Sequence, residues 1–398
     1  MTTPASLGDR VRTLRLANGI SQADLARSLT NGASEANGLV SKIENGRHSP
    51  DPGTLRALAA ALGCEPEYLT APPADLVHTR PWLRAYADAP ARVVECVTSG
   101  NLLVAEAIAR LQLKRMPDLI PTFDGDLNDD HAIERFADEV RAAAGLAEGG
   151  VVGNAMRAAD LLGCVVLPMS SELGRHLGLS QRIDGFPFIR VSRPGERDNP
   201  VPGDRQRFTV LHEVGHLGLH SALPPPETAD EARRIERQAH RFASAFLAPA
   251  DPLLDDWASK GGRVTLSVLA DLKATWGISI KALVVRFQQL GIISADQATG
   301  LYKQISKRGW NRGEPVATTN EKPAWLALAI KKRAGSGAGL SAVDVAARLA
   351  MLAERHVSSW VDWTPVRPDA DVLNLPDRSG PTQMEQASAA QVISFPGM

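Results

Sequence analysis

Apolar residues recur every three to four positions along most of the chain, which is the spacing of amphipathic helices. Five such segments follow one another between residues 6 and 70. Two short apolar runs, 164–168 and 186–191, are typical of strands instead. Further helical segments are predicted at 80–115, 131–144, 151–162, 264–306 and 324–356. The pattern predicts a mainly α fold, α+β overall, with a small sheet near the middle of the chain.

The first seventy residues carry the capping and stop signals of a compact five-helix bundle. Ser21 is placed to cap the second helix, and Gly46 is placed to end the third. A fourth helix follows Ser49-Pro50, and a short fifth segment closes the bundle at 65–69. The motifs SQADLA and VSKIENG resemble the repressor-type, XRE-like helix-turn-helix domain. This resemblance implies binding to a double-stranded DNA operator.

In such a domain the third helix would enter the major groove and present its first residues to the base edges. Asn37, Gly38 and Lys42 occupy its outward positions, and Ser41 completes the candidate set. Asn37 could pair with adenine, whereas Lys42 could reach guanine or a phosphate. Gln22 begins the second helix and is expected to hold a backbone phosphate.

The charge of this domain limits how tightly it would hold DNA without sequence recognition. Residues 1–70 contain seven Lys or Arg and seven Asp or Glu. We therefore expect modest, salt-dependent non-specific affinity, with a homodimer reading paired half-sites. The long turn TNGASEANG could change the orientation of the third helix relative to the DNA. The alternative is a small helical module that binds a protein instead of DNA.

His212-Glu213-Val214-Gly215-His216 carries the clearest chemistry in the chain. Two histidines at i and i+4 lie on one face of a helix and can hold one Zn²⁺ from the same side. Glu213 could take a proton from a water that the metal acidifies, which is the chemistry of a metallohydrolase, usually a peptidase. The alternative is a surface helix on which these three side chains are only solvated.

A catalytic zinc usually has a third protein ligand. The metzincin pattern requires a glycine at position 219 and a histidine at 222, but the chain has Leu219 and Ala222. His220 would lie about 12 Å along a straight helix from His212, too far to share one ion unless the helix breaks at Gly218. We therefore expect His220 to be a partly buried residue that contacts a metal ligand, or a surface residue, but not to bind the ion itself.

The helical segment 229–248 offers a better third ligand. Its apolar stripe would pack against the helix that carries HEVGH, since the linker SALPPPET lets the chain reverse its direction between the two helices. Glu236 lies at the edge of this stripe. His240 lies one turn later, where it could donate a hydrogen bond to a metal ligand, stabilise an oxyanion or have only a structural role. The alternative for Glu236 is an ordinary surface carboxylate in a charged run.

HEVGH followed by ERQAHRFA resembles the HExxH…ExxANxFA pattern of the ImmA/IrrE family of zinc metallopeptidases. The resemblance covers about residues 130–316. It implies that His212, His216 and Glu236 bind one Zn²⁺ and that Glu213 is the general base of an endopeptidase. The chain departs from the pattern at His240, where the family usually has asparagine.

Five regions follow from these motifs and from the proline-rich breaks near residues 72 and 117–121. After about residue 365 the chain is rich in Pro, Asp, Ser and Gln, which is typical of disorder. We predict a helix-turn-helix domain, a helical connector, a metallopeptidase domain, a helical C-terminal segment and a disordered tail, at 1–72, 73–128, 129–316, 317–364 and 365–398.

Composition adds limits on location and partners. The net charge is −1, so no bulk attraction to nucleic acid or membranes is implied. No stretch has membrane-spanning length, and MTTPASLGDR lacks the regions of a signal peptide. Cys64, Cys96 and Cys164 are far apart and are expected to be reduced thiols. These features predict a cytoplasmic protein.

Three functional hypotheses remain open. The first is a transcriptional regulator whose zinc endopeptidase cuts itself or a repressor-type partner in response to a stress or phage-related signal. The second is a DNA-binding repressor whose zinc domain is a non-catalytic sensor. The third is an antitoxin-like regulator that mainly binds another protein.

Overall fold

A computed structural model describes residues 7–30, 38–72, 76–79, 81, 91–169, 178–192, 201–335 and 340–364. Asn37, the predicted tail 365–398 and most of the turn before the third helix lie outside the described residues. The predicted fold class is confirmed: helices dominate the described chain, and one three-stranded sheet lies among them.

The five predicted N-terminal helices are present. They are α1 Leu7–Ala17, α2 Gln22–Thr30, α3 Leu39–Glu44, α4 Pro52–Leu62 and α5 Pro66–Thr70. Ser21 caps α2, since its Oγ accepts a hydrogen bond from Asp24 N–H at 3.0 Å. Gly46 has a positive φ of 67°, the left-handed conformation that ends α3. Leu14, Leu25 and Leu58 are among the residues that fill the core of this bundle.

The connector contains one long helix, α6 Ala91–Arg110. It is shorter than the predicted 80–115: residue 80 and residues 82–90 lie outside the described residues, and Gln112 has a positive φ of 51° just after the helix ends. Glu106 on α6 accepts hydrogen bonds from Arg10 at 2.9 Å and from the Tyr68 hydroxyl at 2.7 Å. The connector is therefore joined to the helix-turn-helix bundle by buried polar contacts.

The sheet follows two helices, α7 Asp130–Ala143 and α8 Ala155–Leu161. Its strands are β1 Val165–Met169, β2 Gly178–Ile183 and β3 Phe186–Ser192. The order is β1-β3-β2, with β1 parallel and β2 antiparallel to β3. Asp184 and Gly185 both have positive φ, as a tight hairpin between β2 and β3 requires. The periodicity predicted β1 and β3 but missed β2.

The two helices that carry the candidate site are α9 Gly203–Leu219 and α10 Ala229–Leu247. Nearly every residue of α9 is buried, because the sheet, α8 and α10 surround it. Gly215 allows this close packing, since a Cβ there would lie 2.9 Å from the Phe242 ring.

The remaining helices complete the core and return the chain to the N-terminal bundle. They are α11 Ala250–Ser259, α12 Leu266–Trp276, α13 Ile280–Gln289, α14 Ala295–Lys307, α15 Trp325–Ala334, α16 Ala342–Ala350 and α17 Glu354–Val361. Ala353 N–H donates to Gly63 O at 2.8 Å, and His356 Nε2 donates to Leu62 O at 3.0 Å. The end of α4 is thus held by a segment almost three hundred positions away. None of the described helices is both long and apolar enough to cross a membrane.

Candidate functional site

Helix α9 places His212, Glu213 and His216 in the interior of the protein. Because His212 and His216 are one helical turn apart, their rings face the same side, and their Nε2 atoms lie 3.0 Å from each other. Both histidines are buried, as is Glu213. The alternative of a solvated surface helix does not describe this environment.

Helix α10 brings Glu236 to the same point. A capping box formed by Thr228 and Glu231 starts this helix after the proline-rich turn. Glu236 Oε2 then lies 3.4 Å from His212 Nε2, and Glu236 Oε1 lies 3.5 Å from His216 Nε2. The donor atoms of the three residues all lie within 4.8 Å of one another.

The spacing of these donors fits a zinc ion. A tetrahedral Zn²⁺ with ligand bonds of roughly 2.0–2.1 Å would hold its donors about 3.3 Å apart. The distances of 3.0, 3.4 and 3.5 Å between the three donor groups bracket this value. Two imidazoles and one carboxylate are also a donor set that zinc prefers, with a fourth position left for a small molecule.

The protonation states suit metal binding as well. Burial lowers the pKa of His212 to about 3, so its imidazole is neutral near pH 7. Burial by itself would raise the pKa of Glu236, but hydrogen bonds from His212 and His216 outweigh it and lower that pKa well below its ordinary range. Neutral imidazoles and an ionised carboxylate are the forms that coordinate a metal.

Glu213 is held by the edge strand β2. Ser180 Oγ donates a hydrogen bond to Glu213 Oε2 at 2.7 Å. Gly178 leaves room for the same carboxylate, because a Cβ at this position would lie 2.6 Å from Glu213 Oε1. Sequence reasoning missed both residues, since neither is titratable and the strand that carries them was not predicted.

His220 lies behind the donor cluster. Helix α9 continues through Gly218 without a break and ends with His220 as its C-cap residue. His220 Nδ1 lies 3.0 Å from His216 Nδ1, and His220 Nε2 lies 3.1 Å from Gln238 Oε1. Burial lowers the pKa of His220 to about 3. A neutral His220 can orient the His216 ring through its second nitrogen.

Gln238 is the other residue that sequence reasoning missed here. Its Nε2 donates to Leu127 O at 2.8 Å while its Oε1 faces His220. The amide therefore ties the ring of His220 to a loop before α7. A polar residue among the buried positions of α10 was the signal that could have identified it.

His240 lies on the other side of the donor cluster. Its ring packs against His212 with centroids 4.7 Å apart and against Phe208 with centroids 5.3 Å apart. It also lines a cavity of about 970 Å³. Thr209 reaches this cavity from α9, and Lys281, Tyr302 and Trp310 line it from the following helices and loop. A space of this size beside the donors can admit an extended peptide segment.

The candidate DNA-reading face lies on α3 and is exposed. Lys42 and Gly38 are exposed, and Ser41 is partly buried. Gln22 instead has an internal contact, since its Nε2 donates to Glu44 Oε2 at 2.7 Å. Glu44 in turn accepts two hydrogen bonds from Arg15, at 2.5 and 3.0 Å. The structure therefore places Gln22 beside a buried ion pair.

Further exposed polar residues follow α3 and were not among the predicted contacts. They are Asn45, Arg47 and His48. Two of them can carry positive charge next to Lys42, which is where a phosphate would pass a recognition helix. Their position immediately after the VSKIE segment was the available signal.

The N-terminal bundle and the region of the donor cluster each match the model of a known protein family. Residues 11–69 match the model of the helix-turn-helix family, and residues 159–288 match the model of the IrrE N-terminal-like domain. No curated protein and no solved structure matches the chain. The second match includes the whole donor cluster and Glu213. The chain therefore joins an XRE-type helix-turn-helix domain to a metallopeptidase-type domain of the IrrE kind, as the motifs predicted.

Proposed function

We propose that this protein is a cytoplasmic transcriptional regulator whose second domain is a zinc-dependent endopeptidase. The observation that carries the proposal is the convergence of His212, His216 and Glu236 within 4.8 Å, with Glu213 buried beside them. A regulator with only a structural metal would not need a buried carboxylate that is adjacent to the ligands and oriented by its own hydrogen bond.

His212, His216 and Glu236 would hold one Zn²⁺ per chain. When bound, the metal would act as a Lewis acid that polarises a carbonyl and lowers the pKa of water. His220 would keep the His216 ring in a coordinating orientation from its position 3.0 Å behind it.

Glu213 would take the proton of the attacking water and later deliver it to the leaving amine. Ser180 donates to Glu213 Oε2, which fixes the orientation of the carboxylate. His240 lines the cavity beside His212, and we assign it as the candidate that stabilises the developing oxyanion.

The helix-turn-helix domain would bind double-stranded DNA through α3, with Lys42, Ser41 and Gly38 on its groove-facing side. We propose a homodimer on paired half-sites, because a six-residue recognition helix reads few bases alone. The protein substrate would be either this chain or a repressor-type partner, cut when a stress or phage-related signal arrives.

The test measures the zinc content of the purified chain and its ability to cleave protein substrates. We expect about one zinc per chain in the wild type and a clear loss in Glu236→Ala. The control is Glu227→Ala, an exposed glutamate just before the same helix, which should keep its zinc. The chain and a panel of helix-turn-helix repressors are then followed by intact mass with zinc present.

The outcomes separate the candidate functions. Zinc binding with new fragments that depend on Glu213 supports the endopeptidase. Zinc binding without fragments from either the chain or the repressors favours the sensor. A wild type that stays folded but takes up no zinc overturns the proposal and leaves a DNA- or protein-binding regulator.

A further inference from the structure

The linker after the helix-turn-helix domain pairs with the edge strand of the peptidase-type domain. We call residues 77–79 the linker strand. His78 forms an antiparallel bridge with Ile183. Thr79 N–H donates to Arg182 O at 2.8 Å, and Asp184 N–H donates to Val77 O at 2.5 Å. Because β2 is at the end of the sheet order β1-β3-β2, this pairing lies on its outer edge.

Side chains reinforce the pairing without burying it. Arg182 N–H donates to Thr79 Oγ1 at 2.9 Å, and Gln181 Nε2 donates to Thr79 O at 3.3 Å. Val77, however, is 74% exposed, and His78 and Thr79 are also exposed. Residues 77–79 are thus held by hydrogen bonds, and the apolar contacts of the linker are at its flanks, where Leu76 packs against the core and Pro81 is buried. Another extended segment could replace the linker strand.

The edge that holds the linker strand continues to the candidate catalytic glutamate. Ser180 binds Glu213 through its hydroxyl, and Gly178 packs directly on the same carboxylate. Backbone N–H and C=O groups of alternate residues point to the same edge of a strand, so those of Ser180 and Gly178 face the edge that Arg182 presents to Thr79. An antiparallel strand that pairs with Asp184 and then Arg182 therefore runs toward Glu213.

We propose that the outer edge of β2 is the peptide-binding edge of this site and that the linker strand occupies it in cis. The partner that fits is an extended peptide that adds to the sheet as an antiparallel strand and presents a hydroxyl side chain opposite Arg182. Such a peptide must displace the linker strand to bind fully. This inference rests on the proposed function, since the edge leads to a cleavage site only if Glu213 is catalytic.

Pro81 limits how far the linker can pair along this edge. If the register that pairs His78 with Ile183 continued along the strand, Pro81 would lie opposite Ser180. Proline has no N–H, so the linker cannot donate a hydrogen bond at the position next to the catalytic glutamate. The backbone hydrogen bonds between the linker strand and the sheet edge lie at Arg182 and Asp184, at the end away from Gly178.

The test measures peptide binding to the full-length, zinc-loaded chain in a Glu213→Gln background, where a bound peptide is not cut. The probe is a fluorescein-labelled peptide with the sequence of residues 74–83, ADLVHTRPWL. Thr79→Pro removes both the N–H and the hydroxyl that bind Arg182. His78→Pro is the matched control, because the neighbouring residues, and not His78, form the backbone hydrogen bonds to β2.

We expect the Thr79→Pro chain to bind the probe at least about tenfold more tightly than its parent. This is the gain expected if the linker strand leaves the edge open in about a tenth or fewer of the parent molecules and in nearly all molecules of the variant. His78→Pro should bind like the parent. Hydrogen exchange at the amides of Arg182 and Asp184 should be faster in Thr79→Pro and slow again when the probe binds. Thr79→Ala, which removes only the hydroxyl, should shift both readouts in the same direction by less.

Equal affinities in the parent, Thr79→Pro and His78→Pro chains would overturn the proposal, as would a gain shared by both proline variants. Failure of the proposed function has a different signature: the chain with Glu213 intact would produce no fragments although the binding difference remained. If Thr79→Pro is unfolded by circular dichroism, the Thr79→Ala comparison decides the question alone.

Discussion

The candidate metal centre lies on α9, a helix buried on nearly all sides, whereas the candidate DNA-reading face lies on α3, a helix of six residues that is exposed along one side. In the first region Glu213 is bound by Ser180 from β2, and His212 and His216 lie against Glu236 from α10. In the second, Lys42 faces solvent. From this difference we expect the proposed chemistry to depend on many contacts between distant elements, and the proposed DNA affinity to depend on a few side chains and on salt.

This contrast predicts steep effects of substitutions in the buried region. Glu213→Gln keeps the volume and the contact with Ser180 but loses the base, so cleavage should fall by about 10²- to 10⁴-fold while zinc stays bound. Cleavage rate and zinc content are measured together. Glu148→Gln, at a position far along the chain from the donors, is the control and should change neither. Undiminished cleavage in Glu213→Gln would remove Glu213 from the mechanism.

Gly178→Ala tests whether the packing of β2 on the glutamate matters without any change of charge. The new Cβ would meet Glu213 Oε1 at 2.6 Å, so the carboxylate must move. A displacement of this kind should lower cleavage by roughly 10- to 100-fold and leave zinc in place. Gly300→Ala is the matched control, because a Cβ there meets nothing within 4 Å. Equal rates for both variants would show that the position of Glu213 tolerates the shift.

Lys42→Ala tests the exposed region. If Lys42 contacts a phosphate, its removal should weaken binding to all DNA sequences alike and reduce the slope of log K against log salt by about 1. Binding to sheared genomic DNA is titrated at several salt concentrations. Lys303→Ala, on α14 of the other domain, should leave the slope unchanged. An altered preference among sequences would instead indicate that Lys42 reads a base.

A smaller effect on the free energy of unfolding is expected when the pH is changed, because of the contact between His356 and the end of α4 at Leu62. Burial lowers the pKa of His356 below its ordinary value of 6.5. His356 therefore binds a proton more readily in the unfolded chain than in the folded one. The contribution of the neutral, buried His356 to stability is present above about pH 6.5 and is lost as the pH falls below it.

The measurement is urea unfolding at several pH values in the wild type and His356→Gln, which can still donate to Leu62 O. The wild type should lose more stability on acidification, by at most about 1.4 kcal/mol per pH unit for one proton. His48→Gln, at an exposed position, should follow the wild type. Parallel curves for all three chains would mean that His356 does not contribute.

Much of the fold could be predicted because the helical periodicity is strong. The segment 229–248, predicted from its apolar stripe, agrees closely with α10 Ala229–Leu247. Strand β2 could not be predicted, because its buried residues include Ser180 and Gln181, whose polarity is typical of a loop. Their burial makes sense only once Glu213 and Asn101 are known to be their partners.

The same limit applied to the candidate site. The i, i+4 spacing of His212 and His216 and the HExxH motif are local, so the sequence alone indicated them together with Glu213. Glu236 needed the resemblance, because its spacing was equally consistent with a surface carboxylate. Its distance of 3.4 Å from His212 depends on how α10 packs on α9.

By itself, the sequence determined the two kinds of domain, the helices that carry their motifs and the residues able to bind a metal, because these properties depend on neighbours within a turn or two. Tertiary structure alone decided that Ser180 orients Glu213, that Gln238 from α10 contacts His220 and that the linker strand pairs with β2. The physical reason is that backbone pairing and burial join residues from tens to almost three hundred positions apart, and no local pattern encodes which ones meet.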